Sequence, residues 1–244
     1  MESNDYNEPF LNYKDEEKND DLDRQIAKSI RRGFISKVYG IIIYQIILTS
    51  LVVYLAFASE SFKKLLLTSV SLYYLSFMVS LVCILLPICS PRIYQSVPIN
   101  YIILTIFTLS YSWMIALVTC QYTFSSVMVA LFLTFITVVT LTIYAWKTKE
   151  DFTVCGGTLF VCFTLLIFSG LIFILFNIPV LNLIYTFCSL VLFSTYLIFD
   201  TQLLCGEGRV KYGEEDYILA AINIYLDAII LFLKILSIFG SKNN

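Results

Sequence analysis

The sequence predicts an all-α integral membrane protein, a bundle of seven transmembrane helices with its N-terminus in the cytosol. Of the 244 residues, 59% are hydrophobic and 14% are charged, and the mean hydropathy is +0.82. Soluble domains are about a quarter charged. Apolar runs of about 20 residues recur along the chain, and a run of that length can cross a bilayer as a helix. We place the spans near residues 35–58, 69–90, 98–119, 124–146, 156–177, 180–203 and 217–239.

The segment before the spans, residues 1–33, is expected to be cytosolic and to have two parts. Residues 1–20 are polar, and nine of the 18 acidic residues lie within the first 23 positions, so we predict that this leader is unstructured. Residues 21–34 predict a short amphipathic helix on the membrane surface, with a polar unstructured leader as the alternative. Its apolar stripe consists of Leu22, Ile26, Ile30 and Phe34. The seven-helix domain then covers residues 34–240, and a tail follows at 241–244.

The orientation rests on Lys and Arg, which are enriched in cytosolic loops. With seven spans, ten basic residues near the membrane fall on the N-terminal side and three fall on the other. The ten are Arg24, Lys28, Arg31, Arg32, Lys37, Arg92, Lys147, Lys149, Arg209 and Lys211, and the three are Lys63, Lys64 and Lys242. This bias places the N-terminus in the cytosol and the C-terminal tail on the opposite side. If the last segment re-entered the membrane instead of crossing it, the tail would also be cytosolic.

The division between the fifth and sixth spans depends on the tripeptide Asn177-Ile178-Pro179. A helix through both apolar runs would be about twice as long as a bilayer requires. Because Asn and Pro favour a turn, we predict two helices with a tight connection.

Two aspartates are the only acidic residues in the apolar segments. Asp200 lies near the end of the sixth span, and Asp227 lies midway along the seventh. An ionisable residue inside a bilayer costs at least a few kcal/mol and usually marks an ion path or a proton relay. We therefore take the two carboxylates as the candidate site for cation passage, for pH sensing and for calcium binding.

Each aspartate belongs to a polar stripe on its helix. Ser189, Tyr196 and Asp200 are spaced i, i+7, i+11 on the sixth helix, and Asn223, Asp227 and Lys234 share a face of the seventh. Polar faces of membrane helices point into the bundle. We therefore expect the two stripes to face each other, although each aspartate could instead cap or hydrogen-bond a neighbouring helix.

The depth of the two aspartates constrains their pairing. At 1.5 Å per residue, Asp227 lies about 15 Å inside its helix and Asp200 about 5–6 Å, which leaves an axial offset of about 9 Å between straight helices. Direct contact requires a tilt, or a last helix that begins above the membrane surface. Two carboxylates that meet out of water cannot easily both ionise, so a shared proton would make the site respond to pH.

Other charged residues have simpler interpretations. Lys234 is expected to extend its amine towards the membrane surface, or alternatively to act as a countercharge to Asp227. Four acids between the last two spans could attract cations to the cytosolic mouth, or could simply be solvated and helix-capping. They are Glu207, Glu214, Glu215 and Asp216.

Several kinds of chemistry are not expected. The chain has no histidine, and its seven cysteines are irregularly spaced, which argues against a zinc site and a disulfide framework. We expect no cofactor and no enzymatic activity. The basic residues follow the membrane topology, so we expect no nucleic-acid partner.

Three stretches resemble the transmembrane Bax inhibitor motif family, in its Lifeguard and Golgi anti-apoptotic branch. The first, residues 30–49, resembles the start of that family's first helix, and the second, residues 142–157, resembles its fourth-to-fifth helix junction. The third combines Phe199-Asp-Thr-Gln202 with residues 215–232 and resembles its closing motif. The resemblance runs from about residue 24 to the end of the sequence.

This resemblance implies a bundle with the last helix at its centre and a pH-sensitive calcium leak from Golgi or endoplasmic reticulum stores. The leak would be gated around a pair of aspartates whose positions match Asp200 and Asp227. The resemblance also implies inhibition of apoptosis, since lower stored calcium weakens the calcium signals that promote cell death. The Ile-, Asn-, Lys- and Tyr-rich composition suggests an AT-rich genome, such as that of a large DNA virus that captured a host gene.

The chain departs from the family's pattern at two places. Many relatives carry a glutamate in the third helix, where residues 107–113 have none, and some bacterial relatives carry an arginine in the second helix that latches the acidic pair. Residues 69–90 contain no basic group. Lys234 is the remaining candidate for a latch.

The alternative functions belong to other classes. One is an interaction protein that binds death regulators or calcium-release channels without transport. For either function, the expected partners include membrane lipid, and a homo-oligomer is left open. A remote one is an intramembrane aspartyl protease, since two membrane aspartates can perform acid–base work on water. The Gly-x-Gly-Asp motif of that class is absent around Asp200 and Asp227.

Overall fold

The computed structural model describes residues 8–176, 179–206 and 208–243. Within these ranges, seven helices are long and apolar enough to cross a membrane, which makes the chain a multi-pass membrane protein. The α-helices in chain order are α1 (Glu8–Ala58), α2 (Glu60–Thr68), α3 (Val70–Cys89), α4 (Pro91–Gln95), α5 (Ile99–Thr119), α6 (Phe124–Lys147), α7 (Gly156–Phe176), α8 (Pro179–Cys205) and α9 (Tyr217–Phe239). The helices other than α2 and α4 are the seven spans, and a 3-10 turn at Phe152–Cys155 precedes α7.

The helix ends follow local sequence signals. The hydroxyl of Ser59 accepts a hydrogen bond from the amide of Phe62 at 3.3 Å and so caps α2, a short helix that the hydropathy pattern did not predict. Thr123 caps α6 in the same way through the amide of Ser126 at 3.3 Å. Pro91 begins α4, where a missing amide hydrogen costs nothing.

The first helix is longer than predicted. We expected residues 1–20 to be unstructured, but those that the structure describes, from Glu8 onward, belong to α1. The amphipathic segment at 21–34 also continues without a break into the first span, so it does not form a separate surface helix. Pro9 lies in the first turn, where proline is tolerated, and the following Glu, Lys, Asp and Arg residues do not interrupt a helix.

The fifth and sixth spans are separate helices, as predicted. Helix α7 ends at Phe176, and α8 begins at Pro179. The two remaining residues of the predicted turn, Asn177 and Ile178, lie outside the described residues.

Helix α9 lies at the centre of the bundle. In its apolar stretch 56% of the residues are buried, against 6% for α7 at the periphery. It packs mainly against α8, α1 and α6, and Ile218, Tyr225 and Leu231 are completely buried on it. The uninterrupted 23-residue helix has the length of a full span, which favours a crossing segment over a re-entrant one.

Buried hydrogen bonds connect α9 to α1 and α5. The hydroxyl of Tyr225 lies 2.7 Å from that of Thr49, which also accepts a hydrogen bond from Ser112 at 3.0 Å. Gln45 donates to the hydroxyl of Thr108 at 3.2 Å. Lipid tails are as apolar as leucine, so close packing and polar contacts of this kind hold membrane helices together.

The two ends of the bundle have different connections. At one end, which we call the basic end, the 24–37 segment of α1 lies beside the end of α6 and the α8–α9 connection, and the latter contacts the α6–α7 connection. At the opposite end, residues 241–243 run beside the α5–α6 connection. There the amide of Asn243 donates to the carbonyl of Gln121 at 2.8 Å. In the same region the amide of Thr123 donates to the carbonyl of Ser241 at 3.0 Å.

Candidate functional site: an acidic pair and its cavity

The structure brings the two membrane aspartates together. Asp200 on α8 and Asp227 on α9 are each only 5% exposed, and their side chains are close neighbours that line the same cavity. One oxygen of Asp227, Oδ2, is buried and has no hydrogen-bond partner among the described residues. The two carboxylates therefore form one site in the interior, which we call the acidic pair.

The pairing occurs despite the difference in depth. Helix α8 continues to Cys205, so Asp200 lies about 7–8 Å from its end, whereas Asp227 lies about 15 Å from the start of α9. Contact between them requires α9 to start beyond the end of α8 or to tilt against it. The connection at 206–216 is long enough to allow this, and it folds back so that the amide of Tyr212 donates to the carbonyl of Leu203 at 3.3 Å.

Tyr212, in this connection, supplies the polar contacts of the acidic pair. Its hydroxyl donates to Oδ1 of Asp200 at 2.8 Å and accepts a hydrogen bond from the side-chain amide of Asn223 at 2.9 Å. Burial and the neighbouring Asp200 carboxylate raise the pKa of the Tyr212 phenol well above its usual range. Tyr212 therefore remains a protonated donor.

A cavity of about 550 Å³ opens beside the acidic pair. Tyr111 on α5, Phe163 on α7 and Tyr196 on α8 contribute aromatic side chains to its lining, and Ile84 on α3 also lines it. The cavity is thus bordered by residues of α3, α5, α7, α8 and α9. We call it the acidic cavity, because its lining contains two carboxylates among mainly apolar side chains.

The predicted polar stripes reach this cavity only in part. Asn223 and Tyr196 line it together with both aspartates. Ser189 is buried, and its hydroxyl donates to the carbonyl of Tyr185 one turn earlier, at 2.7 Å. The amine of Lys234 lies over the ring of Tyr185, 4.4 Å from its centroid. No ion pair between Lys234 and an aspartate occurs among the described residues, so a latch at this position has no support in the observed contacts.

The four acids predicted near the mouth have different surroundings. Glu207 lies outside the described residues, and Glu214 and Glu215 are exposed. Asp216 precedes α9 and accepts hydrogen bonds from the Gln95 side chain and from the Gly213 amide, each at 3.1 Å. It therefore joins the α8–α9 connection to α4.

Arg31 of α1 holds the same connection from the other side. Its guanidinium donates to the carbonyl of Tyr212 at 2.8 Å and also to the carbonyl of Leu203. The next residue after α8, Gly206, has φ of +72°, and a Cβ there would lie 2.8 Å from Nε of Arg31. Arg31 is therefore linked through Tyr212 to the acidic pair.

The α6–α7 connection is a further support. Gln202 on α8 accepts a hydrogen bond from the amide of Phe152 and donates to the carbonyl of Glu150, both at 2.8 Å. Asp151 accepts from the amides of Thr153 at 3.0 Å and Arg209 at 3.1 Å. The hydroxyl of Thr153 also donates to Oδ1 of Asp151, and this side-chain hydrogen bond is the main reason that the pKa of Asp151 lies below its usual range.

Comparison with known proteins assigns the chain to a family. Residues 31–244 match the family described as inhibitor of apoptosis-promoting Bax1. Protein lifeguard 3 is 31% identical in Mus musculus and 30% in Homo sapiens, each over 220 residues that cover 88% of this chain and 71% of the relative. Bax inhibitor 1 of Schizosaccharomyces pombe is 31% identical over 221 residues, covering 90% of this chain and 80% of the relative.

The chain belongs to the Bax inhibitor family. The matched region begins at Arg31 and contains all the residues of the acidic pair and its supports. Helix α3 carries no basic side chain and α5 carries no glutamate, so both departures seen in the sequence fall on helices that flank the acidic cavity. Arg31 donates a hydrogen bond to the carbonyl of Tyr212, whose hydroxyl contacts Asp200, so the two side chains are linked by one residue.

Sequence reasoning missed both of these residues as parts of the site. Arg31 was interpreted only as one of the basic residues that set the orientation in the membrane, and Tyr212 was not singled out. The available signal was an aromatic residue within a polar connection of 11 residues, beside the glycine at 213. Periodicity identifies helix faces, but it does not indicate how a connection folds back onto them.

Proposed function

We propose that this chain is a pH-sensitive, calcium-permeable leak of Golgi or endoplasmic reticulum membranes that lowers stored calcium and inhibits apoptosis. The observation that carries the proposal is the contact between Asp200 and Asp227 inside the bundle, beside a cavity. Membership of the Bax inhibitor family supports the anti-apoptotic role. The proposal assigns no enzymatic step to the acidic pair.

The position of the acidic pair favours a role in transport. A charged side chain at the centre of a spanning helix costs about 2.5–3.5 kcal/mol on insertion scales. If the pair had only a structural role, each carboxylate oxygen would be expected to accept a hydrogen bond, because a buried polar group without a partner costs about 1–3 kcal/mol. Oδ2 of Asp227 has no hydrogen-bond donor among the described residues, so this oxygen is open to the shared proton or, when the pair is deprotonated, to a cation.

The ligand set suits transient passage of calcium. Calcium prefers six to eight oxygen ligands, with carboxylates among them. The acidic pair supplies two carboxylates, and no cluster of three or more His, Cys, Asp or Glu residues occurs in the described part of the chain. Calcium in this cavity would keep much of its water, which favours weak binding and release over tight storage.

A shared proton supplies the response to pH. Two carboxylates in contact away from water are more stable with one negative charge than with two. Protonation removes the charge that attracts a divalent cation, so acidification is expected to lower the flux through this site. No histidine is present in the sequence to provide this switch.

The proposed orientation places the basic end in the cytosol. This assignment follows the excess of Lys and Arg on that side of the membrane. Calcium would then leave the organelle by crossing from the opposite end towards the acidic pair. Lower stored calcium leaves less for the release that promotes cell death, which connects the leak to the anti-apoptotic role.

The decisive experiment is calcium efflux from vesicles that contain the purified protein, measured at several pH values. Wild type is compared with Asp227→Asn and Asp200→Asn, which change the charge with little change in shape. We expect wild-type efflux that depends on pH, and a loss of that pH dependence in both variants. Glu150→Gln is the matched control, because it removes an exposed carboxylate from the α6–α7 connection, away from the acids considered for the cytosolic mouth.

Two outcomes would contradict the proposal. One is wild-type efflux no greater than that of protein-free vesicles, and the other is unchanged pH dependence in both aspartate variants.

Absence of flux with folded protein would favour the interaction protein that binds death regulators or calcium-release channels. The exposed apolar stripe of Leu22, Ile26 and Ile30 on α1 is the observation that favours this second candidate. Cleavage of a membrane peptide by wild type but not by Asp227→Asn would instead indicate an aspartyl protease.

A further inference from the structure

A second cavity, of about 840 Å³, lies at the basic end of the bundle. It is bounded by the start of the first span on α1, by the end of α6 and by the α8–α9 connection. We call it the basic cavity. It is separate from the acidic cavity, and no residue of the acidic pair lines it.

Its walls carry a strong excess of positive charge. Lys28, Arg31, Arg32 and Lys211 line it, and Glu214 is the one acidic residue among the described residues that do so. Glu207 follows Gly206 in the sequence and lies outside the described residues; with it included, the cations still outnumber the carboxylates by two.

These cations are not neutralised by ion pairs within the described ranges. The ion pair found there joins Arg24 to Asp21 at 3.7 Å, and both residues precede Lys28 on α1. Lys28, Arg32 and Lys211 are exposed. Like charges around one cavity repel each other, so an anion bound there would relieve the repulsion as well as gain its own contacts.

Arg31 provides a fixed charge in this group. Its hydrogen bonds go to the backbone carbonyls of Tyr212 and Leu203, which orient the guanidinium without cancelling its charge. A cation that is already held in place loses less freedom when a ligand binds. The basic cavity therefore combines one oriented guanidinium with three exposed cations.

The location of the cavity indicates which anion it would meet. It lies at the end of α6, where Trp146 is half-exposed and Lys147 ends the helix. Ile35 of the first span also lines it. Tryptophan is enriched at membrane–water interfaces, and basic pockets at helix ends bind phosphorylated lipid headgroups. The opening is therefore expected to lie near the level of the lipid phosphates.

We propose that the basic cavity binds a phosphomonoester group, as carried by a phosphorylated lipid headgroup. The dianion of a phosphomonoester offers more charge and more acceptor oxygens than the carboxylate or phosphodiester of an ordinary anionic lipid. A headgroup in the cavity can reach Lys28, Arg32 and Lys211 while its acyl chains remain beside Ile35. The inference is independent of calcium transport.

The test is equilibrium binding to the purified full-length protein. The probes are short-chain phosphatidylinositol monophosphate, the corresponding free inositol phosphate and short-chain phosphatidylserine. We expect the first to bind at least tenfold more tightly than phosphatidylserine. Tighter binding of the lipid than of the free inositol phosphate supports a membrane source, and equal binding supports a soluble phosphate ester. Equal binding of phosphatidylserine would overturn the proposal.

A pair of matched variants locates the site. Lys28→Gln, Arg32→Gln and Lys211→Gln are combined in one protein, and Lys63→Gln, Lys64→Gln and Lys242→Gln in another. Both lose three positive charges, but the second set lies on the other side of the membrane in the predicted topology. We expect at least a tenfold loss of affinity in the first and less than a twofold loss in the second. Equal losses in both would show unspecific attraction and overturn the proposed site. Lys211→Gln alone serves if the triple variant fails to fold, and an unchanged affinity would count against the site.

Discussion

The acidic cavity and the basic cavity differ in charge, in depth and in lining, yet they share one wall. The acidic cavity lies among spanning helices and has an aromatic lining around two carboxylates. The basic cavity lies at the helix ends and is lined by four cations. Tyr212 lines both: its hydroxyl contacts Asp200, and its carbonyl accepts a hydrogen bond from Arg31.

The comparison shows how opposite charges are kept apart in one membrane protein. Arg31 binds the backbone of the α8–α9 connection rather than a carboxylate. The guanidinium therefore binds carbonyls of this connection and forms no ion pair with Asp200 among the described residues. The same connection holds the Tyr212 phenol that contacts Asp200. Substitutions at this shared wall should affect both cavities, whereas substitutions further away should affect one or neither.

The largest effect is expected from Tyr212→Phe. The change removes the hydroxyl that bridges Asn223 and Asp200 and leaves a buried carboxylate oxygen without its donor. We expect a loss of about 1–3 kcal/mol in the free energy of unfolding, since an unsatisfied buried polar group costs that much. Thermal unfolding of the purified protein measures it. Tyr54→Phe is the control, because its side chain is 61% exposed and makes no hydrogen bond in the described structure. Equal stability of both variants would show that the phenol is not a support of the acidic pair.

A smaller effect is expected from Gly206→Ala. The backbone there has φ of +72°, where a Cβ costs about 1–2 kcal/mol, and the added carbon would also approach the guanidinium of Arg31. We expect destabilisation of that order in thermal unfolding, together with weaker binding in the basic cavity because Arg31 must shift. Gly33→Ala, on α1 with nothing within 4 Å of its Cβ, should be neutral or stabilising by up to about 1 kcal/mol. A neutral Gly206→Ala would mean that Arg31 does not depend on this turn.

The smallest effect is expected from Asp151→Asn, and it should depend on pH. The pKa of Asp151 is held below its usual range, chiefly by the hydrogen bond from Thr153. Such a carboxylate stabilises the folded state above its ordinary pKa, and this stabilisation is lost as the pH falls through the lowered value. The unfolding temperatures of wild type and Asp151→Asn should therefore differ at neutral pH and converge in strong acid. Glu215→Gln, which removes an exposed carboxylate, is the control and should unfold at the wild-type temperature at neutral pH. A difference between wild type and Asp151→Asn that persists in strong acid would contradict the assignment.

The spans were predictable because apolar length is a strong signal. The predicted run at 217–239 coincides with α9, and those at 98–119 and 124–146 differ from α5 and α6 by one residue at an end. The helix at residues 8–20 was missed because a charged sequence without an apolar face resembles an unstructured one, whereas residues 21–34, which have an apolar stripe, were predicted as a helix but as a separate one. Helix α2 was missed because it is too short to produce a hydropathy signal and depends on its Ser59 cap.

The acidic pair was partly predictable for a similar reason. Asp200 and Asp227 are isolated charges in apolar helices, so their inward orientation follows from the cost of exposing them to lipid. Lys234 carried the same signal, but its amine lies over Tyr185 instead. The contacts of Arg31 join residues 172 and 181 positions apart. Such contacts depend on the path of a connection, which helical periodicity does not encode.

The anchoring of α9 at both ends has a consequence for motion. At its start, the Tyr217 hydroxyl accepts a hydrogen bond from Asn100 at 2.7 Å, and the amine of Lys37 lies over the Tyr217 ring. Beyond its end, Asn243 and Ser241 pair with the α5–α6 connection. A helix tied at both ends cannot easily slide or rotate. Any rearrangement that parts the two carboxylates is therefore expected to displace α8, together with the lipid-exposed α7, while α9 serves as the stationary axis.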